Sequence, residues 1–129
     1  MPGRVTHFEI YGDAPEALAA FYREVLGWHI EKAEGVDYWR VHPEAGEGGN
    51  AGGGLAYRPP VPVSGWLQYV QVESLDAAVA KAERAGGRVL RERTAVPRTA
   101  WYAVIADPEG NAFAIWQPDP KAFPLPEPD

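Results

Sequence analysis

Few side chains in this chain have types and spacings suited to chemistry, and His7 with Glu9 stand out among them. They lie two apart in Val5 to Tyr11, where His7, Glu9 and Tyr11 alternate with Phe8 and Ile10. That alternation predicts a half-buried strand with an apolar face and a polar face. A carboxylate beside an imidazole orients the ring and favours its protonated form, which is how a general base is tuned. Two plainer readings stand beside this one: Glu9 in an ion pair with one of the chain's many Arg, and His7 as a residue that lines a pocket. His29 and His42 fall near strand ends, where exposure is expected. Asp107 looks catalytic in isolation. Its place in Asp107-Pro108-Glu109-Gly110-Asn111 makes it a turn residue, with Pro108 presetting φ and Gly110 able to supply a positive one.

Composition removes several classes of function. With no Cys, there is no disulfide, thiolate metal site or thiol nucleophile. A formal charge of −6 argues against a nucleic-acid partner. The only basic cluster, RVLRER at 88–93, reads better as a solvated strand than as a binding patch. No run approaches membrane-spanning length and the N-terminus has no apolar signal segment, so no membrane partner and a cytoplasmic setting are expected. A hydrophobic content of 46% over 129 residues suits one packed domain or two small modules.

The elements that must position these residues repeat. After the first strand, Asp13 is expected to cap a helix starting near Pro15, with Leu18, Phe21, Tyr22, Val25 and Leu26 as its apolar stripe and Gly27 as its end. Strands follow at Trp28 to Lys32, Tyr38 to Val41 and around Leu55 to Tyr57, the last after a Gly-rich hairpin tip at 46–54. Without the Lys-Ser/Thr of a phosphate loop, that tip is not a phosphate cradle. Past the Pro-rich connector at 58–65, a strand at Trp66 to Val72 leads to a helix capped by Ser74 or Asp76, and strands follow at Arg88 to Arg93, Trp101 to Ala106 and Asn111 to Gln117. Setting Gly27 on Gly87 gives an offset of 60, so each half reads strand-helix-strand-strand-strand. The expected fold class is α+β: modules over 1–62 and 63–120 in one compact domain, with a Pro-rich tail, 121–129, as an extended arm.

THFEIYGDAPEALAAFYREVLGW, ESLDAAVAKAERAGGRVL and DPEGNAFAIWQ resemble the glyoxalase, bleomycin-resistance and extradiol dioxygenase superfamily (the vicinal oxygen chelate proteins), in particular its lactoylglutathione-lyase-related branch. The resemblance covers nearly the whole chain except the tail. It implies two βαβββ modules forming an open, cup-like mixed β-sheet barrel with the helices outside and a ligand within. In metal-using members each module gives one ligand from its first strand and one from its last. Those positions fall on His7, Gly54, Leu67 (with Gln68 and Tyr69 as neighbours) and Ala114, and only His7 can bind a metal. No metal and no cofactor are therefore expected.

Two functions follow from the residues and the resemblance together. One is a binding protein for a small planar or apolar molecule, with Trp39, Tyr69, Trp101 and Trp116 lining the cup. The other is a metal-independent or unusual enzyme of lyase, isomerase or oxygenase type, acting on a small oxygenated metabolite with His7 and Glu9 as proton carriers. A metal-dependent glyoxalase or dioxygenase comes third. A homodimer is expected, because the mostly Ala stripe of the second helix lets another element approach closely and family members commonly pair.

Overall fold

A computed structural model describes residues 2–43, 52–63 and 65–124. The elements run β1 (Arg4–Gly12), α1 (Pro15–Leu26), β2 (His29–Lys32), β3 (Tyr38–His42), β4 (Gly52–Tyr57), β5 (Trp66–Gln71), α2 (Leu75–Arg84), β6 (Arg88–Val96), β7 (Ala100–Ala106) and β8 (Ala112–Pro118). The fold is α+β, and βαβββ occurs twice, as the periodicity predicts. Two compact units divide it: Thr6–Gln68, and the residues up to Val5 together with those from Tyr69 onward.

The 60-residue offset holds strand by strand. Glu9, Ile10 and Tyr11 of β1 pair in parallel with Gly54, Leu55 and Ala56 of β4. Tyr69, Val70 and Gln71 of β5 pair in parallel with Ala114, Ile115 and Trp116 of β8. Both partners shift by the same 60, so the repeat is one of register as well as of element order.

In the Thr6–Gln68 unit the strand order is β2-β3-β4-β1. Phe8 and Ile10 turn inward with Ile30, Trp39, Val41 and Leu55, under Leu18, Ala19 and Tyr22 of α1. Gly27 closes α1 in the left-handed region, at φ 69°, and its N–H bonds Arg23 O. The opposite end differs from expectation. The N-cap is Ala14, with no side-chain cap bond, and Asp13, one residue before it, accepts from Arg58 Nε at 3.0 Å.

The stretch read as a hairpin tip is partly strand. Gly52–Gly54 belong to β4, while 44–51 lie outside the described residues. Glycine there makes room for rings on both faces. A Cβ on Gly53 would meet the Phe8 ring at 2.5 Å, and one on Gly54 would meet Tyr38 Oη at 1.8 Å. Real Cβ atoms do not come so close, so these rings occupy the volume that side chains at 53 and 54 would fill.

In the second unit the order is β5-β8-β7-β6. Leu75, Ala103, Ile105 and Ile115 form its core with Val70, Ala78, Val79 and Ala82 packed on them. The Ala stripe of α2 is thus spent on its own sheet, which removes the reason given for pairing through that helix. Ser74 is the cap, accepting from Ala77 N at 3.2 Å, and Gly86 supplies the left-handed residue at φ 98°. The turn before β8 is built on Asp107, whose Oδ1 accepts from Glu109 N and Asn111 N, each at 2.9 Å. Asn111 holds that carboxylate below the usual aspartate range. Of the chain after β8, residues 119–122 are tied down, and 125–129 of the expected arm lie outside the described residues. Trp101 Nε1 donates to Asp119 Oδ2 at 3.1 Å, Arg98 N donates to Ala122 O at 2.8 Å, and Ala122 is fully buried.

Candidate functional site

Strand alternation puts His7, Glu9 and Tyr11 on the face of β1 away from α1, and β3 brings Tyr38 to the same place across β4. Tyr11 donates to Glu9 Oε1 at 2.7 Å and Tyr38 donates to Glu9 Oε2 at 3.0 Å. His7 Nε2 lies 3.4 Å from Glu9 Oε2 and 3.3 Å from Tyr38 Oη. The Glu9 side chain is 16% exposed and that of His7 31%, so the group is sheltered but reachable.

Two opposing influences set the charge on Glu9. Burial is the larger single one and favours the neutral acid. The hydrogen bonds from His7, Tyr11 and Tyr38, together with the imidazole's charge, outweigh it and leave Glu9 below the usual glutamate range. Glu9 is thus an anion at neutral pH. An anion there favours the His7 tautomer with its proton on Nε2. Tyr11 shares the polar face of β1 that the alternation predicts, whereas Tyr38 escapes sequence reasoning because a strand pattern does not tell which hydroxyl crosses to another strand. Gly54 was the available signal: a glycine inside a strand often marks close approach by another group.

The four aromatic residues proposed from sequence separate. Trp39 lies in the core on the α1 side, its Nε1 donating to Glu16 Oε2 at 2.6 Å. Trp101 packs on the α2 side, with Arg93 stacked over its ring at 3.9 Å. Tyr69 and Trp116 lie on the other face of the second unit's sheet. There Tyr102 joins them, cross-strand from Trp116 and 6.2 Å from Tyr69 ring to ring. His29 and His42 are exposed, facing each other on β2 and β3, each 3.6 Å from a Glu31 oxygen.

A family model described as "Glyoxalase/Bleomycin resistance protein/Dioxygenase superfamily" matches residues 4–115. The chain belongs to that superfamily. A protein named "Putative glyoxylase CFP32" from Mycobacterium tuberculosis is 36% identical over 118 residues, covering 88% of this chain and 43% of its own length. The anthracycline biosynthesis protein DnrV of Streptomyces peucetius is 38% identical over 52 residues, or 40% of this chain and 19% of that protein. The chain therefore spans less than half the length of these curated relatives. Among solved structures, a superfamily member from Vibrio splendidus 12B01 aligns with TM-score 0.61 at 14% identity, covering 91% of this chain and 99% of that one. Methylmalonyl-CoA epimerase from Mycobacterium tuberculosis aligns with TM-score 0.59 at 18% identity, covering 91% and 89%. At such identities the likeness concerns the fold.

The metal positions of the superfamily can be tested on this chain's donors. His7 is present. Gly54 has no side chain, and its space is held by the Tyr38 phenol. Leu67 and Ala114 are buried apolar residues. Among the described residues no group of three or more His, Cys, Asp or Glu comes together to hold a metal ion. This donor set does not fit a divalent ion, which needs three or four oxygen, nitrogen or thiolate ligands.

Proposed function

We propose that this superfamily member is a metal-independent enzyme that moves a proton on a small oxygenated metabolite, with His7 as the exchanging group. The carrying observation is the His7–Glu9–Tyr38 contact set, with Tyr11 completing the hold on Glu9. An ionised Glu9 complements the positive charge that His7 gains on taking a proton, and hydrogen bonds to both of its oxygens fix its orientation. A carbon acid next to a carbonyl is the fitting substrate type, because a ring nitrogen can take its proton directly.

A second reading is sequestration of a small planar or apolar molecule without reaction. It is favoured by the half-buried aromatic face of Tyr69, Tyr102 and Trp116.

One experiment separates the two. The protein is incubated in D2O with a panel of 2-oxo acids, hydroxyketones and 1,2-dicarbonyls. Loss of α-proton signals is followed by NMR, and thermal shifts are recorded in parallel. Exchange of at least one compound, abolished in His7→Ala, is expected. A compound that raises the melting temperature while none exchanges would select sequestration.

A further inference from the structure

Arg91 occupies a position that the strand period denies it. Val89 of β6 pairs with Ile105 of β7, but Arg91 pairs with Val104, so the ladder slips by one residue between them. A second slip separates Arg91 from Thr94, which pairs with Tyr102. Without the first bulge, residue 91 would share the face of Val89 and point toward the core under α2. With it, Arg91 is carried to the opposite face, and the second bulge returns Arg93 to the α2 side, where it stacks on Trp101 and bonds Asp76. Bulges of this kind re-aim side chains and concentrate near functional sites.

The face that Arg91 reaches carries three aromatic rings. One cross-strand row reads Tyr69, Ala114, Val104, Arg91, and the next reads Gln71, Trp116, Tyr102, Thr94. Ala114 and Val104 are buried in these rows, between three half-buried rings and a half-buried guanidinium that stand at the edges. That guanidinium lies 5.7 Å from the centre of the Tyr102 ring. Arg91 makes no salt bridge among the described residues, although the chain has 18 acidic residues against 12 basic ones. Asp76 bonds its neighbour Arg93 instead, so a charge at 91 is aimed at the aromatic face without a carboxylate to meet it.

We propose that Arg91 is the specificity-determining residue for a planar, conjugated carboxylate. The flat part of this ligand lies against Tyr69, Tyr102 and Trp116, and its carboxylate pairs with the guanidinium. Arg suits the role because its planar fork binds a carboxylate through two parallel hydrogen bonds while its face stays on a ring. The inference rests on the reading that this chain binds a small molecule, and it names the charge and shape of that molecule. It also moves part of the 88–93 basic cluster from solvated strand to binding surface.

The test compares trans-cinnamate with its neutral amide, trans-cinnamamide, on the full chain. Affinities are measured by NMR titration, with Ala114 and Tyr102 signals reporting on the face. Cinnamate should bind at least about tenfold more tightly than the amide, and the margin should shrink with added salt. Arg91→Gln should erase the margin, Arg91→Lys should keep part of it, and Arg84→Gln, at the exposed end of α2, should leave it intact. Melting curves check that each variant is folded. Equal affinities in the parent protein, no binding of either probe at millimolar concentration, or an unchanged margin in Arg91→Gln would overturn the proposal. Because the readout is binding alone, failure to find proton exchange with any compound leaves this test standing, and the two readings fail separately.

Discussion

Gly54→Ala is the smallest change that should dismantle the His7–Glu9–Tyr38 group without touching any of its members. The added methyl carbon would lie 1.8 Å from Tyr38 Oη, 2.1 Å from Cζ and 2.6 Å from Cε1, so the ring has to leave. Its departure removes the 3.0 Å hydrogen bond to Glu9, and losing one donor to a sheltered carboxylate costs about 1–3 kcal/mol. Displacing a packed ring adds about 1–3 kcal/mol of overpacking. The expected loss is therefore roughly 2–6 kcal/mol, slightly offset by the smaller unfolded-state entropy of Ala. In a Tyr38→Ala background the obstruction is gone, and Gly54→Ala should change stability by less than about 1 kcal/mol. Urea denaturation of the parent, both single variants and the double variant gives the coupling directly. The same cost for Gly54→Ala in both backgrounds would refute the idea that Tyr38 occupies the space above residue 54.

Phe8→Ala should cost about 3–5 kcal/mol, because Phe8 is buried in the α1 core and its ring stacks against Trp66, whereas His7→Ala should cost about 1 kcal/mol. A larger loss at His7 on denaturation would invert the two faces of β1. Glu9 is held below its ordinary range, so its contribution is present at pH values above the unfolded carboxylate range and is lost as pH falls through the lower folded value. Unfolding midpoints between neutral and acid pH should accordingly fall less steeply in Glu9→Gln than in the parent. The purified protein should carry no stoichiometric Zn, Ni, Mn or Fe, and its melting temperature should ignore chelator. About one metal per chain by elemental analysis, lost in His7→Ala, would restore metal chemistry. We expect a homodimer through α1, whose Phe21, Val25 and Leu26 are all about half exposed. Phe21→Glu should then give a monomer near 14.1 kDa by light scattering, and a parent protein already at that mass would remove the expectation.

Much of the fold was legible because period and punctuation are local. Phe8 and Ile10 against His7 and Glu9 announced both faces of β1, and Gly27 announced the end of α1. Asp107 to Asn111 announced its turn, and the 60-residue offset proved to be the register of the parallel pairs. What stayed hidden depended on contacts between elements. Asp13 is the right type for a cap, yet the cap falls on Ala14 and Asp13 pairs with a distant Arg58. Aromatic type does not tell faces apart, so Trp39 and Trp101 stood beside Tyr69 and Trp116 until the register separated them. Tyr38 was hidden because its hydroxyl acts two strands away, across β4, and Arg91 because a bulge breaks the period on which any reading of β6 depends.

The parallel pairing of β1 with β4 has a consequence for how the His7 group forms and fails. His7 meets Gly52 only after some forty-five residues of chain have been looped back, whereas β7 and β8 meet through the short turn at Asp107. Contacts between distant parts of the chain form late and slowly, and local hairpins form early. The β7–β8 hairpin should thus form early, and the carboxylate, imidazole and phenol should assemble later. Run in reverse, the order gives the protein a graded failure. A fluctuation that parts β1 from β4 should break the contacts of His7 and Glu9 with Tyr38 while most amide protons of the hairpin remain protected from exchange. The geometry of this group is then a more sensitive gauge of integrity than the bulk secondary structure.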